Sequence, residues 1–246
     1  MRNREAILFV AGLGGASLLL AAQHKSTSPP QGGFAQAVCP QLAGILPGKT
    51  RVVDMTYAIN SKLPVWPGDD HTFEAQVVAT PEKDGDFAGS FWMLEHYGTR
   101  MDAPAHFPPG KLTLDQIPVD HFFGPAVLID VREEAGKDSD YRLMPADVEK
   151  WKTIHGRVSS GSVVLLRTGW ASHWPDQSRY RNMDGNGAMH FPGFSAESAR
   201  LLVARGVVGL GIDTASVDYG PSKDFEAHQV SLPAGLYNLE NLANLD

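Results

Sequence analysis

The chain of 246 residues holds a single cysteine, Cys39, so no disulfide can form within it, and no local motif marks that cysteine as a functional thiol. Charge is sparse as well: only 20% of the residues are charged, with 21 Lys and Arg against 28 Asp and Glu and a formal net charge of -7. A nucleic-acid surface needs clustered basic side chains to neutralise phosphates, and their absence argues against nucleic acid and for a small-molecule substrate. Nothing in the spacing suggests an internal repeat. What is present is a hydrophobic content of 43%, enough in a chain of this length to bury one core, so one catalytic domain is the simplest expectation.

The N-terminus carries Arg2 and Arg4, then a mostly apolar stretch from Ala6 to Ala22, then a polar run beginning at Gln23. This is the layout of a secretory signal peptide, which predicts residues 1–22 as an export signal and a secreted or periplasmic location. Uncleaved, the stretch would instead be a short membrane anchor. Residues 23–45, rich in Ser, Pro, Gly and Gln, read as a flexible leader, and 46–246 as the folded domain.

Short β-branched apolar runs recur at 51–58, 73–80, 91–95, 126–131, 162–167 and 207–212, most of them bounded by Gly, Pro or Asp, and these read as strands. A helix is expected over 195–205, with Ser195 as N-cap and Gly206 as terminator, and a second over 145–151. The pattern by itself gives a mixed α/β domain.

The densest chemistry lies in His96-Tyr97-Gly98-Thr99-Arg100-Met101-Asp102-Ala103-Pro104-Ala105-His106, where two imidazoles and a carboxylate fall within eleven residues held by glycine and proline. Imidazole nitrogen and aspartate oxygen suit divalent ions such as zinc or manganese. A guanidinium at Arg100 cannot serve as a ligand.

This segment resembles the HxGTHxDxPxH signature of the metal-dependent cyclase family, which includes bacterial kynurenine formamidase and isatin hydrolase; Arg100 stands where the signature has its second histidine. The block from Gly211 to His228, followed by Glu240-Asn241-Leu242, resembles the family's C-terminal block, and Pro64-Val65-Trp66-Pro67 its early proline-tryptophan loop. The resemblance implies the swivelling β/β/α fold and homo-oligomers whose subunits complete one another's pockets. It implies a metal centre of His96, Asp102, His228 and Glu240, with His106 as a further ligand or the catalytic acid/base. Trp66 is expected against an aromatic substrate, and Trp92 is a weaker candidate for the same wall. Relatives continue past the point where this chain stops at Asp246, so an open sheet edge is expected there.

Such a centre lowers the pKa of a bound water toward about 7, and His106 would carry the proton to the leaving nitrogen. The expected reaction is hydrolysis of an amide in a small aromatic molecule, N-formylkynurenine-like or isatin-like. Arg100 leaves three outcomes open: it swings away, it pairs with Asp102 and displaces the metal, or it recruits an anionic substrate. The rival to the hydrolase is therefore a degraded member that binds a small anion without metal.

Overall fold

Three polar positions, Arg100, Asp102 and Glu240, are delivered by two neighbouring strands, and the rest of the sheet exists to hold those strands in place. The computed structural model describes residues 6–9, 51–69 and 72–246; the leader expected at 23–45, Cys39 and most of the stretch read as an export signal lie outside the described residues. Two units divide the chain, Val10–Asp54 and the remainder, and the remainder holds the sheet and the candidate site.

The strands are β1 (Ala6–Phe9), β2 (Phe73–Ala79), β3 (Ala88–Met93), β4 (Arg100–Asp102), β5 (Phe123–Asp130), β6 (Arg142–Leu143), β7 (Val163–Arg167), β8 (Gly193–Phe194), β9 (Gly209–Ile212) and β10 (Tyr237–Glu240). The helices are α1 (Pro81–Asp84), α2 (Arg132–Ala135), α3 (Pro145–His155), α4 (Gln177–Arg181), α5 (Ala196–Ala204) and α6 (Glu226–Ser231). Six strands form one sheet in the order β1-β5-β7-β9-β10-β4. β5, β7, β9 and β10 run parallel, while β1 and β4 pair antiparallel at the two edges. β1 falls inside the stretch read as an export signal.

Parallel neighbours need a crossover, and α3, α5 and α6 supply them. β7 explains why the centre of the sheet is parallel: Val163, Val164, Leu165 and Leu166 are all buried, a continuous apolar run that only a strand covered on both faces tolerates. Val127, Ile129, Val164, Leu166, Leu210 and Ile212 from the sheet join Val148 of α3 and Leu202 of α5 in one core. α5 starts where expected, with the Ser195 hydroxyl accepting from the Ser198 amide at 3.0 Å. α3 runs on to His155, beyond the expected 151.

Residues 51–58 are not a strand. Their backbone groups find single partners instead of a ladder: the Met55 carbonyl accepts from the Ala243 amide, and the Tyr57 amide donates to the Thr99 hydroxyl. The open edge expected at the C-terminus is also absent from β10, which lies between β9 and β4, and Leu242, Ala243 and Leu245 are buried. Among the described residues no helix is long and apolar enough to cross a membrane.

Candidate metal centre

In the β10–β4 ladder Glu240 stands directly opposite Arg100, and Asn238 opposite Asp102. Side chains alternate along a strand, so Arg100 and Asp102 share the face that Glu240 also presents. His106 closes the short 3-10 turn Pro104–His106 immediately after β4. His96 lies in the turn before β4, and His228 comes from α6 on the buried side. Asp218 anchors that helix, accepting from the amides of Ala227 at 2.6 Å and His228 at 3.2 Å. It also holds the His228 ring, with Nδ1 2.6 Å from Asp218 Oδ2. Gly193 makes this possible, because a Cβ there would lie 2.2 Å from the Tyr219 nitrogen and push β8 away from the Asp218 segment.

The five expected residues therefore come together around Asp102. His96 Nδ1 lies 3.1 Å from Asp102 Oδ1, and the His96 and His106 rings are 4.2 Å apart between centroids. His228 Nε2 lies 3.3 Å from Asp102 Oδ2 and 3.3 Å from Glu240 Oε1. Asp102, His228 and Glu240 are buried, whereas His96 and His106 face outward. Burial works against the charge on Asp102, but the His228 and His96 rings beside it and the nearby Arg100 outweigh it and hold the carboxyl well below the usual carboxylate range. Burial likewise opposes a charged His228, and its three carboxylate neighbours outweigh that to raise its pKa well above the ordinary value. At His106 burial prevails and lowers the pKa, which keeps the ring neutral near pH 7.

Of the three outcomes open to Arg100, pairing with Asp102 is met only in part. The guanidinium pairs chiefly with Glu240, through Nη2 and Oε2, and only its Nε approaches Asp102 Oδ1, at 3.7 Å. Nη2 also donates to the Ala215 carbonyl at 2.8 Å. The side chain is only 11% exposed.

The donor set fits a divalent ion. Two groups of three, His96 with Asp102 and His106, and Asp102 with His228 and Glu240, each bring their ligand atoms within 4.8 Å of one another. His228 has the arrangement that metal-bearing imidazoles use, one nitrogen fixed by a carboxylate and the other aimed at the donor cluster. Asp102 Oδ1 is fully buried without a hydrogen bond, an acceptor that the protein itself leaves unsatisfied.

Beside the cluster runs an aromatic wall. Phe107 stacks on His228 with centroids 5.0 Å apart, Phe225 lies 5.5 Å from Phe107, and Trp66 lies 6.1 Å from Phe225. Phe225 takes a left-handed backbone with φ 49, a conformation that costs a non-glycine residue about 1 kcal/mol or more and here starts the helix that carries His228. Arg181 of α4 fixes the Trp66 loop, donating to the carbonyls of Val65 at 2.5 Å and Trp66 at 3.2 Å. Trp92 lies instead on β3 of the β2–β3 hairpin, 46% exposed. Sequence reasoning missed Asp218, Phe107, Phe225 and Arg181 as functional candidates. The first three sit in or beside the motif blocks, where a carboxylate ten residues before His228 and two aromatics next to histidines were the available signals.

A family model described as "Putative cyclase" matches residues 53–219, and the chain belongs to that cyclase family. His228 and Glu240 lie past the matched stretch. Isatin hydrolase of Roseibium aggregatum is 29% identical over 220 residues, covering 83% of each chain. Kynurenine formamidase of Bacillus thuringiensis (strain Al Hakam) is 30% identical over 197 residues, covering 77% of this chain and 81% of its own. A solved isatin hydrolase bound to the product analogue thioisatinate superposes with a TM-score of 0.77 at 27% identity, covering 87% of each chain. The expected α/β cyclase fold is thus the observed one, and these relatives are hydrolases.

Proposed function

We propose that this protein is a metal-dependent hydrolase that cleaves an amide bond in a small aromatic molecule, with an isatin-like cyclic amide first and an N-formylkynurenine-like formamide second. The cyclic amide stands first because the two isatin hydrolases cover 83% and 87% of this chain, against 77% for the formamidase. The observation that carries the reading is the pair of ligand triads, His96–Asp102–His106 and Asp102–His228–Glu240, that share Asp102 beside the Trp66–Phe225–Phe107 wall.

His96, Asp102, His228 and Glu240 would hold zinc or manganese, which when bound supplies Lewis-acid polarisation of a carbonyl and acidifies water. The chain's own part in the reaction falls to its side chains. His106, neutral and on the open side, is placed to accept a proton from the attacking water and return it to the departing nitrogen. Asp218 keeps the His228 ring in one orientation and tautomer. Phe107, Phe225 and Trp66 offer flat apolar surface to an aromatic ring and keep water from its faces. The rival reading, an anion receptor built on Arg100 and His106, lacks its cation because Arg100 is committed to Glu240 and Ala215. Export rests on the N-terminal pattern alone, and assembly into a homo-oligomer on the family resemblance.

The test is hydrolysis of isatin and of N-formylkynurenine by protein loaded with manganese or zinc, with Asp102→Ala as control. Turnover of one substrate is expected, reduced in the control by on the order of 10² to 10³, the loss typical when one electrostatic group leaves a reactive centre. No turnover of either class by the metal-loaded protein would overturn the proposal.

A further inference from the structure

The two carboxylates at the centre divide their oxygens between an imidazole ring and a guanidinium. Asp102 Oδ2 and Glu240 Oε1 face His228 Nε2, each at 3.3 Å. Of the opposite oxygens, Glu240 Oε2 pairs with Arg100 Nη2, and Asp102 Oδ1 lies 3.7 Å from Arg100 Nε and 3.1 Å from His96 Nδ1. We propose that the Arg100 guanidinium is a built-in cation standing in the place of a second metal ion, so that the centre binds one divalent ion per chain.

The inference deepens the metal-dependent reading above and rests on it. The strand register makes the arrangement obligatory: Glu240 is the cross-strand partner of Arg100, and Asp102 follows two residues on along the same face. The Ala215 carbonyl, accepting from Nη2 at 2.8 Å, fixes the guanidinium from the far side. An arginine does not lose its proton, so this cation is permanent, and its planar fork suits two carboxylates better than an ammonium would. Charge points the same way. Asp102, Glu240 and Asp218 carry three negative charges and Arg100 one positive, so a single divalent ion among neutral imidazoles brings the buried cluster to neutrality. A second would leave it strongly positive in a setting where uncompensated charge is costly. Sequence position 100 is also where the family signature carries a histidine, a residue that offers a metal a lone pair where arginine offers none.

The experiment is equilibrium dialysis of the full chain against excess manganese, followed by elemental analysis of metal per chain, for wild type, Arg100→Lys and Arg100→His, with circular dichroism confirming that each variant is folded. Wild type is expected to saturate at one equivalent, Arg100→Lys to remain at one because the charge is kept, and Arg100→His to rise to two. Two equivalents in wild type would overturn this inference while leaving the metal-dependent reading intact, as would a folded Arg100→His that stays at one. No metal in wild type would overturn both. The wild-type stoichiometry decides the matter even where a variant fails to fold.

Discussion

Two histidines in this protein lie among carboxylates, three around His228 in the centre and two around His190 on the surface. His228 has Asp218 on Nδ1 and Asp102 and Glu240 on Nε2, with its side chain only 4% exposed. His190 has Asp140 at 2.9 Å from Nδ1 and Asp184 at 3.8 Å from Nε2, with side chains 28% and 35% exposed. Both rings are raised in pKa, but for unlike reasons. At His190 the hydrogen bond to Asp140 leads and burial opposes it only weakly. At His228 burial is the largest influence and acts against the charge, so three carboxylates are needed to overcome it. Chemically similar groups thus become a fixed constellation in one place and a loose bridge in the other. The partners of His228 arrive from β4, β10 and the segment before α6, so the whole sheet sets their positions; the surface pair lies in water and salt, which screen it.

The strongest way to break this comparison is to remove one charge from each region. Glu240→Gln keeps the shape but leaves the buried Arg100 with Asp102, at 3.7 Å, as its nearest carboxylate beside the neutral Ala215 carbonyl. Removing one partner of a buried pair costs about 3–5 kcal/mol. For a chain of this size that lowers Tm by on the order of 10 °C. Asp140→Asn on the surface is expected to lose less than about 1 kcal/mol. Thermal melts of the two metal-free variants at pH 7 check this, and equal losses would show that burial does not separate the two regions.

The next effect is on metal affinity. Asp218→Asn leaves His228 in place but weakens the bond that orients its ring, and changes to such an outer partner cost 10–100-fold in metal affinity as a typical range, roughly 1–3 kcal/mol. Competition with a chelator of known strength measures it. Unchanged affinity would mean that His228 does not ligate the metal and that its contact with Asp218 serves only to anchor α6.

How far the sequence disclosed all this differs between the two strands of the centre and the rest of the sheet. β7 and β9 were legible because continuous burial writes a continuous apolar run, and α5 because Ser195 and Gly206 bracket it. β4 and β10 were not legible as strands. They are three and four residues long, and in Arg-Met-Asp and Tyr-Asn-Leu-Glu the apolar residues, Tyr237 and Leu239 buried among them, are too few beside the polar ones to write a strand pattern. His96, Asp102 and His106 stood out because they are adjacent in sequence, whereas His228 and Glu240 needed the family resemblance. Glu240 as the chief partner of Arg100 was out of reach of the sequence for a related reason. Asp102 is near in sequence, but residues two apart along a strand are separated by about 6.5–7 Å, while cross-strand partners sit about 4.5–5.5 Å apart. Register, which no local pattern reveals, decides for Glu240.

The smallest predicted effect sharpens the comparison from the surface side, through pH. The folded-state pKa of His190 is raised above its unfolded value, so the bridge to Asp140 contributes its full stability below the unfolded pKa of about 6.5 and loses it as pH rises through the folded value. Exposure and screening hold the contribution to less than about 1 kcal/mol, a Tm difference of about 3 °C or less. Melts of wild type and His190→Gln are therefore expected to differ most near pH 5.5, where the ring is charged, and to converge in alkaline buffer. Added salt should shrink the difference at pH 5.5, because both partners are reached by solvent. A difference that persists undiminished in alkaline buffer would assign the effect of His190 to packing and not to charge, and the surface pair would then resemble the buried one more than its exposure allows.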